Sequence, residues 1–281
     1  MHSELELEQA RNLVKGIDIP VRPAVLQKIM EIQSSADPSI DDIAKVISGD
    51  VSLSAGVLKA VNSPLYGMKK RMSSIHQAVV LLGLNNVLNI VIGISLRLEI
   101  GGNFNVAVER FWDTASDVAL ISAGLAKELR HAPSDEAYTL GLFHDCGIPL
   151  LMMKDANYIE VLKAANGSLD KSFTQVEDEL INTNHAVVGY YVAKSWRLPP
   201  HICKAILNHH EPDMLESGEV ELSYLLANLK MAEAISHSVR RLSDNPDWDR
   251  IKGKVFGFLK ISEKDFDELK EDISDRLADA A

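Results

Sequence analysis

The sequence predicts an all-α fold, and three observations carry that prediction. Apolar residues recur at i, i+3, i+4 and i+7 in segment after segment, and no convincing run alternates apolar and polar residues as a half-buried strand would. Ser, Thr, Asn and Pro also stand where helices would begin. At 281 residues the chain can bury a full core and is expected to divide into two helical lobes.

The elements follow in order. Ile40, Ile43, Ala44 and Ile47 form one stripe, preceded by Ser39 with Asp42 three positions on, the pattern of a cap that ties down orphan amides. Ser74 with Gln77 opens the stripe Ile75, Ala78, Val79 and Leu82. Asn85 can cap the next one, Val87, Ile90, Val91 and Ile94, with Gly83 between the two helices. Asn62, Pro64, Tyr66 and Gly67 are expected to shape a turn, because Pro64 ends a helix and Gly67 tolerates a positive φ.

Gly101-Gly102-Asn103 is the candidate boundary, which gives lobes at 1–104 and 105–281. A long helix carries Phe111, Ala115, Val118, Ser122, Leu125 and Leu129 and stops at His131-Ala132-Pro133-Ser134. The next carries Ala137, Leu140, Gly141 and His144, and Pro149 ends or kinks it just after His144 and Asp145. Thr174 with Glu177 is expected to cap a long helix through Ile181, His185, Val188 and Val192. Pro199-Pro200 starts a short helix with the stripe Ile202, Ala205, Ile206 and His209, stopped by Glu211-Pro212. Leu222, Leu225, Leu226 and Leu229 mark another helix. Phe266, Leu269, Ile273 and Leu277 mark the last, capped by Ser262 with Asp265.

Composition excludes several classes of function. A formal charge of −11 argues against a phosphate-backbone footprint, because counterion release needs clustered Lys and Arg. The one compact basic triplet, Lys69-Lys70-Arg71, reads as a solvated turn. Nucleic acid is therefore not an expected partner. The apolar stretch from Val79 to Leu98 is interrupted by Asn85, Asn86, Asn89 and Arg97, which excludes a membrane span. Cys146 and Cys203 lack metal-knuckle spacing and are too few for a disulfide framework. The acidic start, Met1-His2-Ser3-Glu4-Leu5-Glu6-Leu7-Glu8, does not fit a signal peptide, so a cytoplasmic protein is expected.

His144 and Asp145 are the most informative pair, because adjacent imidazole and carboxylate groups can reach one divalent metal from a single helix. His185 and His209 also fall on apolar stripes. Together His144, Asp145, His185 and His209 would supply three imidazoles and one carboxylate. The alternative for each histidine is a core residue satisfied by hydrogen bonds, with His210 merely solvated. No cofactor is expected unless the four side chains converge, in which case they would hold a divalent metal ion.

Nearly the whole chain resembles the HDOD family, the HD-related output domain within the HD superfamily of metal-dependent phosphohydrolases. The stretches that carry the resemblance in the first lobe are Ile19-Pro20-Val21-Arg22-Pro23, Ile47-Ser48-Gly49-Asp50-Val51-Ser52-Leu53 and Asn62-Ser63-Pro64-Leu65-Tyr66-Gly67. In the second lobe they are Gly141-Leu142-Phe143-His144-Asp145-Cys146-Gly147, His185-Ala186-Val187-Val188-Gly189, Trp196-Arg197-Leu198-Pro199 and Ala205-Ile206-Leu207-Asn208-His209-His210. The resemblance implies a two-lobe helical fold with an HD-like second lobe. It also implies a further histidine upstream and an aspartate downstream in active members. Here Thr114 and Asn228 stand at those positions, and Ile148 stands where the pattern usually has Lys.

The expected function is thus a signalling or regulatory module that binds a signalling protein or small effector without turnover. The alternatives are a metal-dependent phosphohydrolase acting on a nucleotide or phosphate ester, and a sensor whose histidines bind a ligand or metal without chemistry. The sequence does not specify an oligomeric state.

Overall fold

The structure is a computed structural model that describes residues 14–62, 71–101, 106–168, 170–216, 218–241 and 246–278. Every regular element among them is helical. They form two compact units that interleave in sequence: one comprises Met1–Val21 and Val106–Glu268, the other Arg22–Asn105 and Leu269–Ala281. No helix among the described residues is long and apolar enough to cross a membrane.

The smaller unit begins with α1 (Ala24–Gln33), α2 (Ile40–Ser48), α3 (Val51–Val61), α4 (Ile75–Leu82) and α5 (Leu84–Ile100). Ile29, Ile43, Ile47, Val57 and Val91 are fully buried in it. Ser39 caps α2 and Ser74 caps α4 by accepting from Asp42 N and Gln77 N, as the sequence spacing predicts. Two details differ from expectation. Ile40, in the first turn of α2, is 41% exposed, and Asn85 lies inside α5, where Gly83 takes the N-cap position. Gly83 has φ +87°, which lets α4 and α5 abut with a single residue between them.

Asn62, the C-cap of α3, ties the end of that helix to Met72. Its side-chain amide donates to Leu58 O and Met72 O, and its carbonyl accepts from Met72 N at 2.7 Å. The expected roles of Pro64, Tyr66 and Gly67, and the triplet members Lys69 and Lys70, lie outside the described residues, as do Gly102 and Asn103 at the candidate boundary.

The larger unit continues with α6 (Val106–Leu129), α7 (Ser134–Phe143), α8 (Gly147–Lys154), α9 (Tyr158–Asn166), α10 (Phe173–Ile181), α11 (His185–Ser195) and α12 (Pro200–Asn208). A 3₁₀ turn at Pro212–Glu216 leads to α13 (Val220–Arg241) and α14 (Pro246–Leu259). Helix α15 (Glu263–Ala278) starts in this unit and is capped by Ser262 with Asp265, as expected. Helix α6 packs along α7 and α13, while α11 packs against α12 and α8.

Two sequence readings near the middle of this unit are corrected. Helix α10 is capped by Ser172 with Gln175 in a complete capping box, not by Thr174 with Glu177. Both pairs match the cap pattern, but Thr174 and Glu177 are buried and unavailable at the surface. The expected long helix is also two helices. Asn182 adopts φ +54°, a left-handed conformation that asparagine tolerates, and Asn184 caps α11 by accepting from Val187 N at 2.9 Å. His185 is therefore the first residue of a helix.

Helix α7 ends at Phe143, and His144, Asp145 and Cys146 form the bend into α8. Pro149 falls in the first turn of α8, where a missing amide proton leaves no helical bond unmade. Two glycines permit close approach at this bend. A Cβ on Gly141 would lie 2.8 Å from Ala119 Cα of α6, and a Cβ on Gly147 would lie 2.1 Å from the backbone oxygen of His185. By contrast, Gly124 inside α6 has nothing within 4 Å of such a Cβ.

These contacts predict opposite outcomes for one chemical change. Gly147→Ala should lower the melting temperature by overpacking against backbone, which costs roughly 1–3 kcal/mol. Gly124→Ala should stabilise by roughly 0.5–1 kcal/mol through helix propensity. Thermal unfolding of the two variants checks this, and a neutral Gly147→Ala would contradict the close approach of α8 to α11.

Candidate metal centre

Three segments of the larger unit deliver polar side chains to one place. The bend after α7 supplies His144 and Asp145, the start of α11 supplies His185, and the end of α12 supplies His209 and His210. His144, His185 and His209 are almost fully buried, while Asp145 keeps 28% of its side chain exposed.

The three buried imidazoles share one arrangement. Nδ1 of His144 lies 2.8 Å from Gly141 O, Nδ1 of His209 lies 2.7 Å from Ile206 O, and Nδ1 of His185 lies 2.6 Å from Glu177 Oε2. Since these partners are acceptors, each Nδ1 carries a proton and Nε2 is left as the working atom. All three Nε2 atoms then face Asp145. Those of His185 and His209 are each 3.2 Å from Oδ1, and that of His144 is 3.2 Å from Oδ2.

His185 Nε2 and His209 Nε2 are also 3.2 Å apart. Asp145 Oδ1 and these two Nε2 atoms thus form a triangle of equal sides. Ligand atoms at about 2.0–2.2 Å from a tetrahedral or octahedral cation are separated by roughly 3.0–3.5 Å, so the triangle has the spacing of one face of a coordination shell. His210 joins it: one donor atom from each of Asp145, His185, His209 and His210 lies within 4.8 Å of the others. This donor set fits a divalent transition metal or zinc, and its imidazoles disfavour magnesium and calcium.

Of the sequence-predicted ligands, Asp145, His185 and His209 stand in this group. His144 touches Asp145 from the other side, and its Nε2 is also 3.4 Å from Glu233 Oε1 of α13. His210, read from sequence as a solvated neighbour, is half-buried and stacks on Phe173 with centroids 5.4 Å apart and an interplanar angle of 18°.

Glu177, Lys230 and Glu233 were missed as site residues. Lys230 Nζ is 2.8 Å from Glu233 Oε2, so a buried cation stands near the cluster although position 148 is isoleucine. Lys230 and Glu233 lie on one face of α13 at i and i+3, but only a structure shows that this face meets His144. Thr114 and Asn228 are engaged elsewhere. Thr114 donates to Arg110 O in its own helix, and the Asn228 amide donates to Ser122 O and Oγ of α6. Burial pushes both cysteine thiols upward, Cys203 to about 11, so neither is a thiolate ligand at neutral pH.

Electrostatics sort the imidazoles. Burial works against charge on His185, but Glu177 and then Asp145 overcome it and raise its pKa to about 10. Burial lowers His209 to about 4, with the Asp145 hydrogen bond in opposition. Burial, followed by the neighbouring His209, takes His210 well below the usual histidine range. Burial also opposes charge on Asp145, yet His144 and the bonds from His185 and His209 hold its carboxyl well below the usual carboxylate range. Without a cation, the raised pKa of His185 keeps a proton on its Nε2, which stands 3.2 Å from both Asp145 Oδ1 and His209 Nε2. A metal would replace that proton.

A family model described as HDOD domain matches residues 19–212. A solved HDOD domain protein of unknown function from Geobacter sulfurreducens is 26% identical, with a TM-score of 0.72 over 99% of this chain and 97% of that one. A candidate phosphohydrolase from Shewanella amazonensis SB2B is 24% identical, with a TM-score of 0.68 over 98% of this chain and 99% of that one, a likeness of fold. A curated relative from Treponema pallidum, named as an uncharacterized protein, is 25% identical over 249 residues, which are 87% of this chain. The chain spans 46% of that relative's length.

The raised pKa of His185 has a pH consequence for metal-free protein. A histidine whose folded pKa exceeds its unfolded value of 6.5 contributes stability that is complete below 6.5 and is lost as pH rises through about 10. His209 acts at the other end, contributing stability above 6.5 that is lost as pH falls through about 4. Melting temperature in chelator should therefore fall as pH rises across the upper window, with proton release on unfolding. A flat or rising melting temperature there would contradict the protonated His185.

Proposed function

Because the chain belongs to the HDOD family, we propose that it is a regulatory module that holds one divalent cation at Asp145, His185, His209 and His210 and acts by binding a signalling protein or small effector, without turnover. The observation that carries this reading is the triangle around Asp145 Oδ1, formed by two Nε2 atoms whose rings are each anchored at Nδ1. Anchored rings of this kind are how metal ligands are oriented, because a hydrogen bond on one nitrogen fixes the tautomer and aims the other.

When bound, a divalent cation would neutralise Asp145 and polarise any anionic ligand at the open edge of the site. The chain's own residues do the rest. Glu177 and the carbonyls of Gly141 and Ile206 hold the rings. His144 fixes the second Asp145 oxygen, which leaves Oδ1 to face His185 and His209. Phe173 covers one face of His210 and one edge of His185.

The preference for binding over turnover rests on Thr114, Asn228 and Ile148, none of which supplies an imidazole, carboxylate or cation at its position. Phosphate hydrolysis needs a metal-activated nucleophile and charge to stabilise the transition state. Two buried thiols with no disulfide partner fit a reducing, cytoplasmic setting. Nucleic acid and membrane are not included among the proposed partners, in keeping with the acidic charge.

One observation favours a second reading, a phosphohydrolase acting on a nucleotide or phosphate ester. Lys230 and Glu233 bring a buried cation and a further carboxylate beside His144. The two readings separate in one assay. Hydrolysis of phosphomonoester and phosphodiester substrates, with manganese, magnesium, iron or nickel present, should not exceed background for the parent. Metal-dependent turnover that disappears in a folded His144→Ala variant would replace the proposed reading with the second.

A further inference from the structure

Glu177 is the one fully buried carboxylate among the described residues, and its setting is specific. Oε2 lies 2.6 Å from His185 Nδ1, and Oε1 accepts a hydrogen bond from the Tyr158 hydroxyl. The backbone N–H of His185 is 3.3 Å from Oε1 and 3.4 Å from Oε2. Tyr158, also fully buried, is placed by α9. Burial and then Glu177 push its phenol far above the ordinary value, so it is a donor.

A buried carboxylate loses several kcal/mol of solvation, so its retention needs a compensating role. His144 and His209 close helices, and each anchors Nδ1 on the carbonyl three residues earlier, within its own turn. His185 opens a helix and has no such carbonyl behind it. Its partner must come from another segment, and that partner is an anion instead of a neutral oxygen. Asp145 alone leaves a divalent cation half neutralised, while Asp145 and Glu177 together balance it.

We propose that Glu177, clamped by Tyr158, is the positioning carboxylate of the cation site, fixing His185 so that Nε2 is presented beside Asp145 and strengthening it as a ligand. The inference rests on the cation reading above and goes beyond it by assigning affinity to residues that do not touch the ion. Glu177 acts through His185, and Tyr158 acts through Glu177.

The test uses the whole 281-residue chain freed of metal by chelator and titrated calorimetrically with Mn²⁺ and with Co²⁺. Glu177→Gln should bind each ion roughly 10–100-fold more weakly than the parent, the usual effect of losing such an outer partner. Tyr158→Phe keeps the ring and the carboxylate and should weaken binding to a smaller extent. The Co²⁺ absorption bands, which report ligand geometry and not fold stability, should shift in both variants. A parent that binds neither ion overturns the cation reading itself. A parent that binds, with both variants matching its affinity and its Co²⁺ spectrum, overturns the role of Glu177 alone. If Glu177→Gln does not fold, Tyr158→Phe decides, and unchanged affinity in that variant overturns the proposal.

Discussion

Asp145 is the carboxylate at which three imidazoles meet, and the architecture of the larger unit follows from accommodating that charge. One oxygen faces His144, and the other faces His185 and His209. A carboxylate this enclosed stays ionised only when donors or cations surround it. The bend after α7 places it, Gly141 and Gly147 let that bend approach α6 and α11, and the starts and ends of α11 and α12 bring the rings. Helix termini are suited to this work because their backbone groups have partners still to find, as Ile206 O and Gly141 O show by anchoring imidazoles.

The fold was largely legible in the sequence because its signals are local. Stripes such as Ile43, Ala44 and Ile47 or Leu222, Leu225 and Leu229 point inward as their spacing requires, and caps at Ser39, Ser74 and Ser262 use the expected partners. Where reading failed, two local solutions competed. Ser172 with Gln175 and Thr174 with Glu177 both fit a capping box, and the choice between them depends on which pair is buried by distant helices. The break between α10 and α11 rests on a left-handed Asn182, which the apolar period running through Ile181, His185 and Val188 masks.

The candidate site was legible in part for the same reason. Motif spacing pointed to His144, Asp145, His185 and His209, since each ends or joins an apolar stripe. Glu177 looked like a cap and His210 like a solvated neighbour, and Glu233 carried no local signal, because their partners are remote in sequence. His185 and Glu177 are eight residues apart, and Glu233 and His144 eighty-nine. Family resemblance pointed to what is missing, at Thr114, Asn228 and Ile148. It gave no sign of Lys230 and Glu233, which come from a helix face outside the matched residues 19–212.

The most direct measurement is a crystal structure of the protein soaked in Mn²⁺, with anomalous scattering used to locate the ion. The account predicts one anomalous peak at bonding distance from Asp145 Oδ1 and from Nε2 of His185 and His209, with Nδ1 of His185 still on Glu177. A protein that carries no peak there at saturating Mn²⁺, with His185 and His209 still in contact through their Nε2 atoms, would contradict it and leave the cluster as a hydrogen-bonded core.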